Sequence, residues 1–289
     1  MADSTRFHRV AILGTGLIGG SFGLALRRNF PQSVVIGWDK PAALDRALEI
    51  GAISEASASL ESAVSDADLV YIALPISVTL ESLPAISAAA KSGALVTDAC
   101  STKSAICHLA EKVFGTRARF LGGHPVAGKE ISGINRATPD LFCGARYALI
   151  ATPQDDDARV TEFAAVVRTL GAEPLFCDAE THDWAAGVVS HLPQLVAVAL
   201  SRVVLDETDE TGLPASLAGS GLRDTVRLAG SPYAVWRDIC LTNADNITRA
   251  LDRVSQAVDY LRTNLTTHEL EGEFASANEL YKILRSRSE

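Results

Sequence analysis

The sequence has no excess of positive charge. Its 26 Lys and Arg stand against 35 Asp and Glu, a net charge of −9. That weighs against a nucleic-acid partner, because a phosphate backbone is gripped by a basic face. An anionic substrate would need a few placed Arg or Lys to overcome the unfavourable overall field. The five Cys residues, at positions 100, 107, 143, 177 and 240, include no CxxC pair. They match neither a zinc pattern nor a disulfide framework, so no metal site is expected and reduced thiols in a cytoplasmic protein are the simplest reading. The opening residues, MADSTRFHRV, lack the apolar stretch of a signal peptide. No run approaches the roughly 20 apolar residues that span a bilayer, so no membrane partner is expected.

What is present suits a globular protein. At roughly 150 residues per domain, 289 residues imply about two domains. A chain of that length can bury a core without disulfide or metal staples. Its first half alternates short apolar runs with helical patterns. Strands are expected at Arg9 to Leu13, Val34 to Asp39, Leu69 to Leu74 and Ala94 to Ala99, and further ones at Arg119 to Gly122, Tyr147 to Ala151 and Glu173 to Cys177. Helices are expected at Leu17 to Arg28, Ala42 to Gly51 and Thr102 to Phe114. Continuous β-branched runs spaced by helices predict a parallel sheet covered on both faces. After about Cys177 the β-rich runs stop. Helical patterns fill His182 to Leu205, Leu217 to Ala229, Pro232 to Leu261 and His268 to Arg285. The expectation is an α/β domain over residues 1–177, followed by an all-α domain over 178–289. The long apolar faces of the second domain either bury one another in a self-contained bundle or meet those of a second copy.

The first strand runs into Gly14-Thr15-Gly16-Leu17-Ile18-Gly19, a GxGxxG segment between a strand and a helix. Gly14 allows the tight turn, Gly16 lets the backbone approach a pyrophosphate, and Gly19 lets helix and strand pack closely. The N–H groups around Leu17 and Ile18 open the helix and face the phosphates. The second strand ends in Asp39, 20 residues after Gly19, where a ribose-binding acid belongs. A carboxylate there repels a 2′-phosphate and favours NAD over NADP, while the adjacent Lys40 softens that preference. Leu74 and Pro75, which end the third strand, are expected to line the same cofactor site.

Substrate belongs in the crevice beyond the carboxyl ends of the strands. The fourth strand leads to Ser101, which either caps the following helix or meets substrate. The next leads to His124 between glycines, and a His is easily poised as a base near neutral pH. His191 lies in an apolar helical run two residues before Pro193, which should bend that helix; this His is either a satisfied core residue or a ligand. Arg227 sits on a glycine-led segment and either grips a carboxylate or pairs with acids such as Asp224 and Asp238.

Taken together, GTGLIGGSFGLAL, DACSTKSAI, GGHPVAGKEISGI, SHLPQ and GLRDTVRL with WRDICLTN resemble the prephenate/arogenate dehydrogenase family of tyrosine biosynthesis. The likeness runs from about Arg9 to at least Asn243, and His124 to Gly133 carries its most specific segment. The resemblance implies a Rossmann-type NAD-binding domain, a helical domain that makes a homodimer, and oxidative decarboxylation of a 4-hydroxycyclohexadiene. By the same likeness His124 is the catalytic His and Ser101 the serine beside the substrate hydroxyl. Arg227 holds a substrate carboxylate, Glu130 stands at the mouth of the site, and Trp236 and His191 lie near the substrate. Gln194 occupies a position where the family often has a second His, facing the side chain that distinguishes prephenate, a keto acid, from arogenate, an amino acid. The glycine turn begins at residue 14 and the last helix ends near the end of the chain. Neither a chorismate mutase domain nor a regulatory ACT domain is therefore expected. Two rivals stand against this reading. One is a hydroxyacid dehydrogenase, which typically relies on a Lys base in its helical domain. The other is a non-catalytic NAD-binding redox sensor, which would leave the His124 and Arg227 motifs without purpose.

Overall fold

The computed structural model describes residues 5–128, 133–152, 155–208 and 211–286. Five strands, β1 (Arg9–Leu13), β2 (Val34–Trp38), β3 (Glu55–Ala56), β4 (Leu69–Ile72) and β5 (Leu95–Asp98), run parallel with β6 (Arg119–Pro125). The sheet continues through β7 (Arg146–Ile150), which is antiparallel to β6, and β8 (Glu173–Cys177), which is parallel to β7. The order is β3-β2-β1-β4-β5-β6-β7-β8. Successive strands move outward from β1 in opposite directions, which leaves a crevice at the carboxyl ends of β1 and β4. The antiparallel β7 departs from the all-parallel sheet read from the sequence.

Helices cover both faces. They are α1 (Leu17–Asn29), α2 (Pro41–Glu49), α3 (Leu60–Val64), α4 (Ile76–Ala89), α5 (Ser104–Val113) and α6 (Ala158–Thr169). One core cluster joins α1 and α6 to the sheet around Phe22, Tyr71, Phe142 and Phe163. The other joins α3, α4 and α5 to the opposite face around Leu13, Ile72, Leu83 and Ile106. Ile239 and Ile247 of the helical domain are buried in that second cluster. Burial of such side chains is worth roughly 1.5–3 kcal/mol each, and it seats the second domain on the α4/α5 side.

The second domain comprises α7 (Ala179–Ala186), a π-turn (Gly187–His191), α8 (Leu192–Glu207), α9 (Leu213–Ser216), α10 (Ser220–Val226), a 3-10 turn (Arg227–Gly230), α11 (Tyr233–Thr242), α12 (Ala244–Thr263) and α13 (Leu270–Ser286). The bend at Pro193 takes the form of the π-turn. Proline has no N–H and its ring crowds the carbonyl four residues earlier, and one extra residue in the turn relieves both. The single helix read over Pro232 to Leu261 is two, broken at Asn243. The run Ala179–Glu207 is one continuous helical stretch, long and apolar enough by length and composition to cross a membrane. That corrects the expectation that no such run exists. Polar residues interleaved along it, among them His182, Asp183 and His191, had hidden its overall apolar character. Of the 16 residues of α8 only Gln194 and Ala197 are buried, and α13 buries none.

Candidate active site

The glycine turn is built as the spacing requires. Gly14 has a φ of 91°, a conformation that side chains resist, and a Cβ there would overlap the Ala73 carbonyl oxygen. The same Cβ would lie 3.1 Å from a Leu74 methyl, so Leu74 abuts the turn. A Cβ on Gly19 would overlap the Gly14 carbonyl oxygen, whereas one on Gly16 would meet nothing within 4 Å. Gly16 is thus the open face of the cradle. It precedes α1 with no side-chain cap, so the first N–H groups of that helix remain available to an anion. Pro75, exposed, precedes α4. Asp39 at the end of β2 accepts hydrogen bonds from the Thr15 N–H (2.7 Å) and Thr15 Oγ1 (3.1 Å). Its other oxygen accepts from the Lys40 N–H (2.7 Å). The acid therefore braces the glycine turn as well as standing at its rim.

His124 lies on β6 itself, opposite Ala148, rather than in the turn beyond. Its neighbour Gly123 packs so close that a Cβ would stand 2.9 Å from Thr97 Oγ1. The ring is half-buried, and its Nδ1 lies 2.9 Å from His182 Nε2. Burial pushes its pKa well below the usual 6.5, reinforced by His182, Lys103 and His191 and opposed by Asp183. At neutral pH it is a neutral imidazole, able to accept a proton.

Ser101 does not cap α5. That helix begins at Ser104 rather than Thr102, and its N-cap residue, Lys103, makes no side-chain cap. The cap comes from the other domain. Asp183 on α7 accepts the Lys103 N–H (2.7 Å) and the Ser104 N–H (2.8 Å). Burial alone would raise the Asp183 pKa, but its hydrogen bonds with His182, Ser104 and Lys103 hold it below the ordinary carboxylate range. The Lys103 ammonium is wholly buried and pairs with Asp98, also wholly buried. It donates as well to the Gly123 carbonyl (2.7 Å). Asp98 further accepts the Cys100 and Gly123 N–H groups (2.9 and 3.1 Å). This knot fixes the ends of β5 and β6 on either side of His124. Ser101 itself is half-buried in the loop between β5 and α5.

His191, on the π-turn, is buried, and its Nδ1 lies 3.1 Å from Asn243 Nδ2. The Asn243 amide also donates to the Asp183 carbonyl (2.7 Å), and its oxygen accepts from Asn246 (2.8 Å). Asn243 therefore donates to His191 Nδ1, and Nε2 carries the His191 proton. Burial lowers the His191 pKa to about 4. Trp236, half-buried on α11, meets its ring edge-on at 5.9 Å. Gln194 is buried one turn along. Arg227 is exposed on the 3-10 turn that packs on α8. Asp238 pairs with Arg237 and accepts the Ser77 N–H (2.9 Å), tying α11 to α4. Glu130 lies outside the described residues. Among the described residues no three His, Cys, Asp or Glu gather to hold a metal. The buried thiols of Cys100 and Cys107 are pushed up to about 12, chiefly by burial, and are inert.

Sequence families match both halves of the chain. "Prephenate dehydrogenase, nucleotide-binding domain" covers residues 22–175 and "Prephenate dehydrogenase, dimerization domain" covers residues 178–285. The chain belongs to the prephenate dehydrogenase family. It is 34% identical over 263 residues to prephenate dehydrogenase of Lactococcus lactis subsp. cremoris, covering 90% of this chain and 72% of that protein. A solved prephenate dehydrogenase from A. aeolicus, in complex with hydroxyphenyl propionate and NAD+, matches with a TM-score of 0.87 and 30% identity, over 99% of this chain and 100% of that one. A Synechocystis arogenate dehydrogenase matches with a TM-score of 0.76 and 29% identity, over 97% of both chains. The Rossmann-type and helical halves read from the sequence are those of this NAD-dependent oxidoreductase family. The sequence reading singled out His124, but missed the pair His182 and Asp183 that engages it. A His-Asp dipeptide opening an apolar helix is the signal that was there to find.

Proposed function

We propose that this chain is an NAD-dependent prephenate dehydrogenase, converting prephenate to 4-hydroxyphenylpyruvate with loss of carbon dioxide. The observation that carries the reading is a neutral His124, hydrogen-bonded through Nδ1, at the sheet edge that also carries an open glycine cradle. That cradle fits a dinucleotide. Gly14, Gly16, Leu17, Ile18 and Gly19 would hold the pyrophosphate, Asp39 the ribose hydroxyls, and Leu74 and Pro75 would flank it. Asp39 favours NAD over NADP. When bound, the nicotinamide accepts the hydride that leaves ring C4.

The protein's own part is proton transfer and placement. His124 accepts the proton of the 4-hydroxyl at Nε2, help of a kind typically worth about 10²–10⁴-fold. Ser101 orients that hydroxyl. Arg227 holds a substrate carboxylate so that C4 faces the cofactor, and Trp236 lies towards the mouth. His191 and Gln194 meet the substrate side chain. A neutral His191 with its proton on Nε2 suits the acceptor oxygens of a keto acid better than a donating ammonium, which favours prephenate. The amide oxygen of Gln194 can accept from an ammonium, which keeps arogenate as a second reading. Steady-state kinetics with both substrates and both cofactors decide between them. His124→Asn should keep NAD+ binding while lowering kcat about 10²-fold or more, and near-normal turnover would remove His124 from the mechanism.

The matched ranges 22–175 and 178–285 support a division into residues 1–177 and 178–289. The unburied apolar side chains of α13, among them Phe274, Ile283 and Leu284, support a homodimer through the helical domain. A cytoplasmic location goes with this reading, because the apolar stretch Ala179–Glu207 carries the polar groups of the site rather than a membrane anchor.

A further inference from the structure

We propose that His182 and Asp183 are positioning residues for the base: Asp183, acting through His182, sets the tautomer of His124 and stabilises the imidazolium formed there. The proposal rests on His124 being the base.

The hydrogen-bond roles follow outward from the acid. Asp183 is ionised, so it can only accept, and it already accepts two backbone N–H groups at the start of α5. His182 Nδ1 lies 2.8 Å from Asp183 Oδ1 and must therefore carry its proton towards it. With its ring proton on Nδ1, His182 presents Nε2 as the acceptor, 2.9 Å from His124 Nδ1. That contact is a hydrogen bond only if His124 is protonated at Nδ1, which leaves Nε2 of His124 as a bare lone pair. One carboxylate thus forces two successive tautomers, and the second is the one a general base needs. The two imidazoles meet edge to face, with centroids 5.1 Å apart and planes at 71°. His182 and Asp183 are both buried, so neither bond is lost to water.

The charges around His124 make the arrangement necessary. Lys103 from α5 opposes a positive charge on His124, and Asp183 favours it. Asp98 at the end of β5 pairs with Lys103 and blunts its field. In the reaction the substrate O–H proton binds His124 Nε2 and its bonding electron pair stays on oxygen. The Nδ1–H of His124 stays donated to His182 Nε2, and the new charge is held one ring away from the Asp183 carboxylate.

The test uses the full-length enzyme with His182→Leu, His182→Gln, Asp183→Asn and His124→Asn. Turnover with prephenate and NAD+ is measured beside the nitrogen-15 spectrum of the six histidines, with the His124 signal assigned by its loss in His124→Asn. In the wild type His124 should be protonated at Nδ1. His182→Leu leaves the α5 cap intact and should lower kcat about 10²-fold or more, with both KM values within about threefold. Asp183→Asn keeps an oxygen for Lys103 and His182 but removes the carboxylate charge that stabilises the imidazolium, and should lower kcat. His182→Gln offers an amide oxygen to the His124 N–H and should recover about tenfold of the leucine loss. A wild-type His124 protonated at Nε2 overturns the proposal, even if no His182 or Asp183 variant folds. So does a His182→Leu enzyme with normal kcat and an unchanged His124 signal. Normal turnover by His124→Asn would instead overturn the reading of His124 as the base.

Discussion

Replacing Lys103 by methionine tests the knot behind His124. The change keeps the length of the side chain and removes its charge. Asp98, with no solvent exposure, would keep two backbone hydrogen bonds and lose its Lys103 cation, while the Gly123 carbonyl would lose its Lys103 donor. Breaking a buried pair from one side costs about 3–5 kcal/mol, because the remaining charge is uncompensated. At about 2–4 °C per kcal/mol for chains near this size, the melting temperature should drop on the order of 10 °C. The assay is urea unfolding at pH 7 and fixed protein concentration, since a dimer's stability depends on it. Adding Asp98→Asn to Lys103→Met removes the stranded charge, keeps an acceptor for one of the Cys100 and Gly123 N–H groups, and should restore part of the loss. A loss below about 1 kcal/mol for Lys103→Met, or a double variant less stable than the single one, would refute the argument.

Four further outcomes follow from residues of the site. The His124 pKa is held below 6.5, so kcat/KM should stay flat through pH 6.5 and fall only at lower pH, as the base protonates; a midpoint at or above 6.5 counts against its enclosure. His191 has a native pKa of about 4, so between pH 6.5 and 4 the unfolded chain binds a proton that the folded one refuses. The His191 contribution is then fully present above pH 6.5 and declines below it, by up to about 3 kcal/mol, and the total decline should be smaller in His191→Asn. Asp39→Ser should narrow the NAD+/NADP+ ratio of kcat/KM and, through the weakened brace on Thr15, cost about 1 kcal/mol in a melt; a wild type that prefers NADP+ removes Asp39 from the ribose. Arg227→Ala should raise the prephenate KM more than it lowers kcat, with Arg227→Lys recovering part, whereas an equal rise in the NAD+ KM would place Arg227 elsewhere.

The cofactor half was legible because its signals are local. A strand, three glycines at fixed spacing and an acid after the next strand all lie within 40 residues. Local patterns also misled. Ser101 looks like a cap because Ser before an apolar helix usually is one, yet the carboxylate that caps α5 arrives from residue 183. His124 looks like a turn residue because glycines precede it, yet those glycines serve close strand packing. The helices α4 and α6 are absent from the pattern reading, and α4 carries Pro84 within it, a residue that normally argues against a helix. His182 and Asp183 left only their adjacency at the head of an apolar helix as a signal, and their role stayed hidden because their partners stand 58 and 80 positions away.

The borrowed cap on α5 bears on how freely such halves can be exchanged. Rossmann-type domains invite treatment as cassettes, to be joined to whatever second domain supplies specificity. Here the first domain leaves a helix end unfinished and, on the proposed mechanism, a base without a fixed tautomer, and one acid of the second completes both. A chimera that grafts residues 1–177 onto a helical domain lacking His182 and Asp183 would still carry its glycine cradle. It should bind NAD+ and turn over slowly, a fault that looks like poor substrate fit and is not. Recombining such halves succeeds only when the dipeptide travels with the dinucleotide domain, so the functional seam of the molecule lies several residues beyond its architectural one.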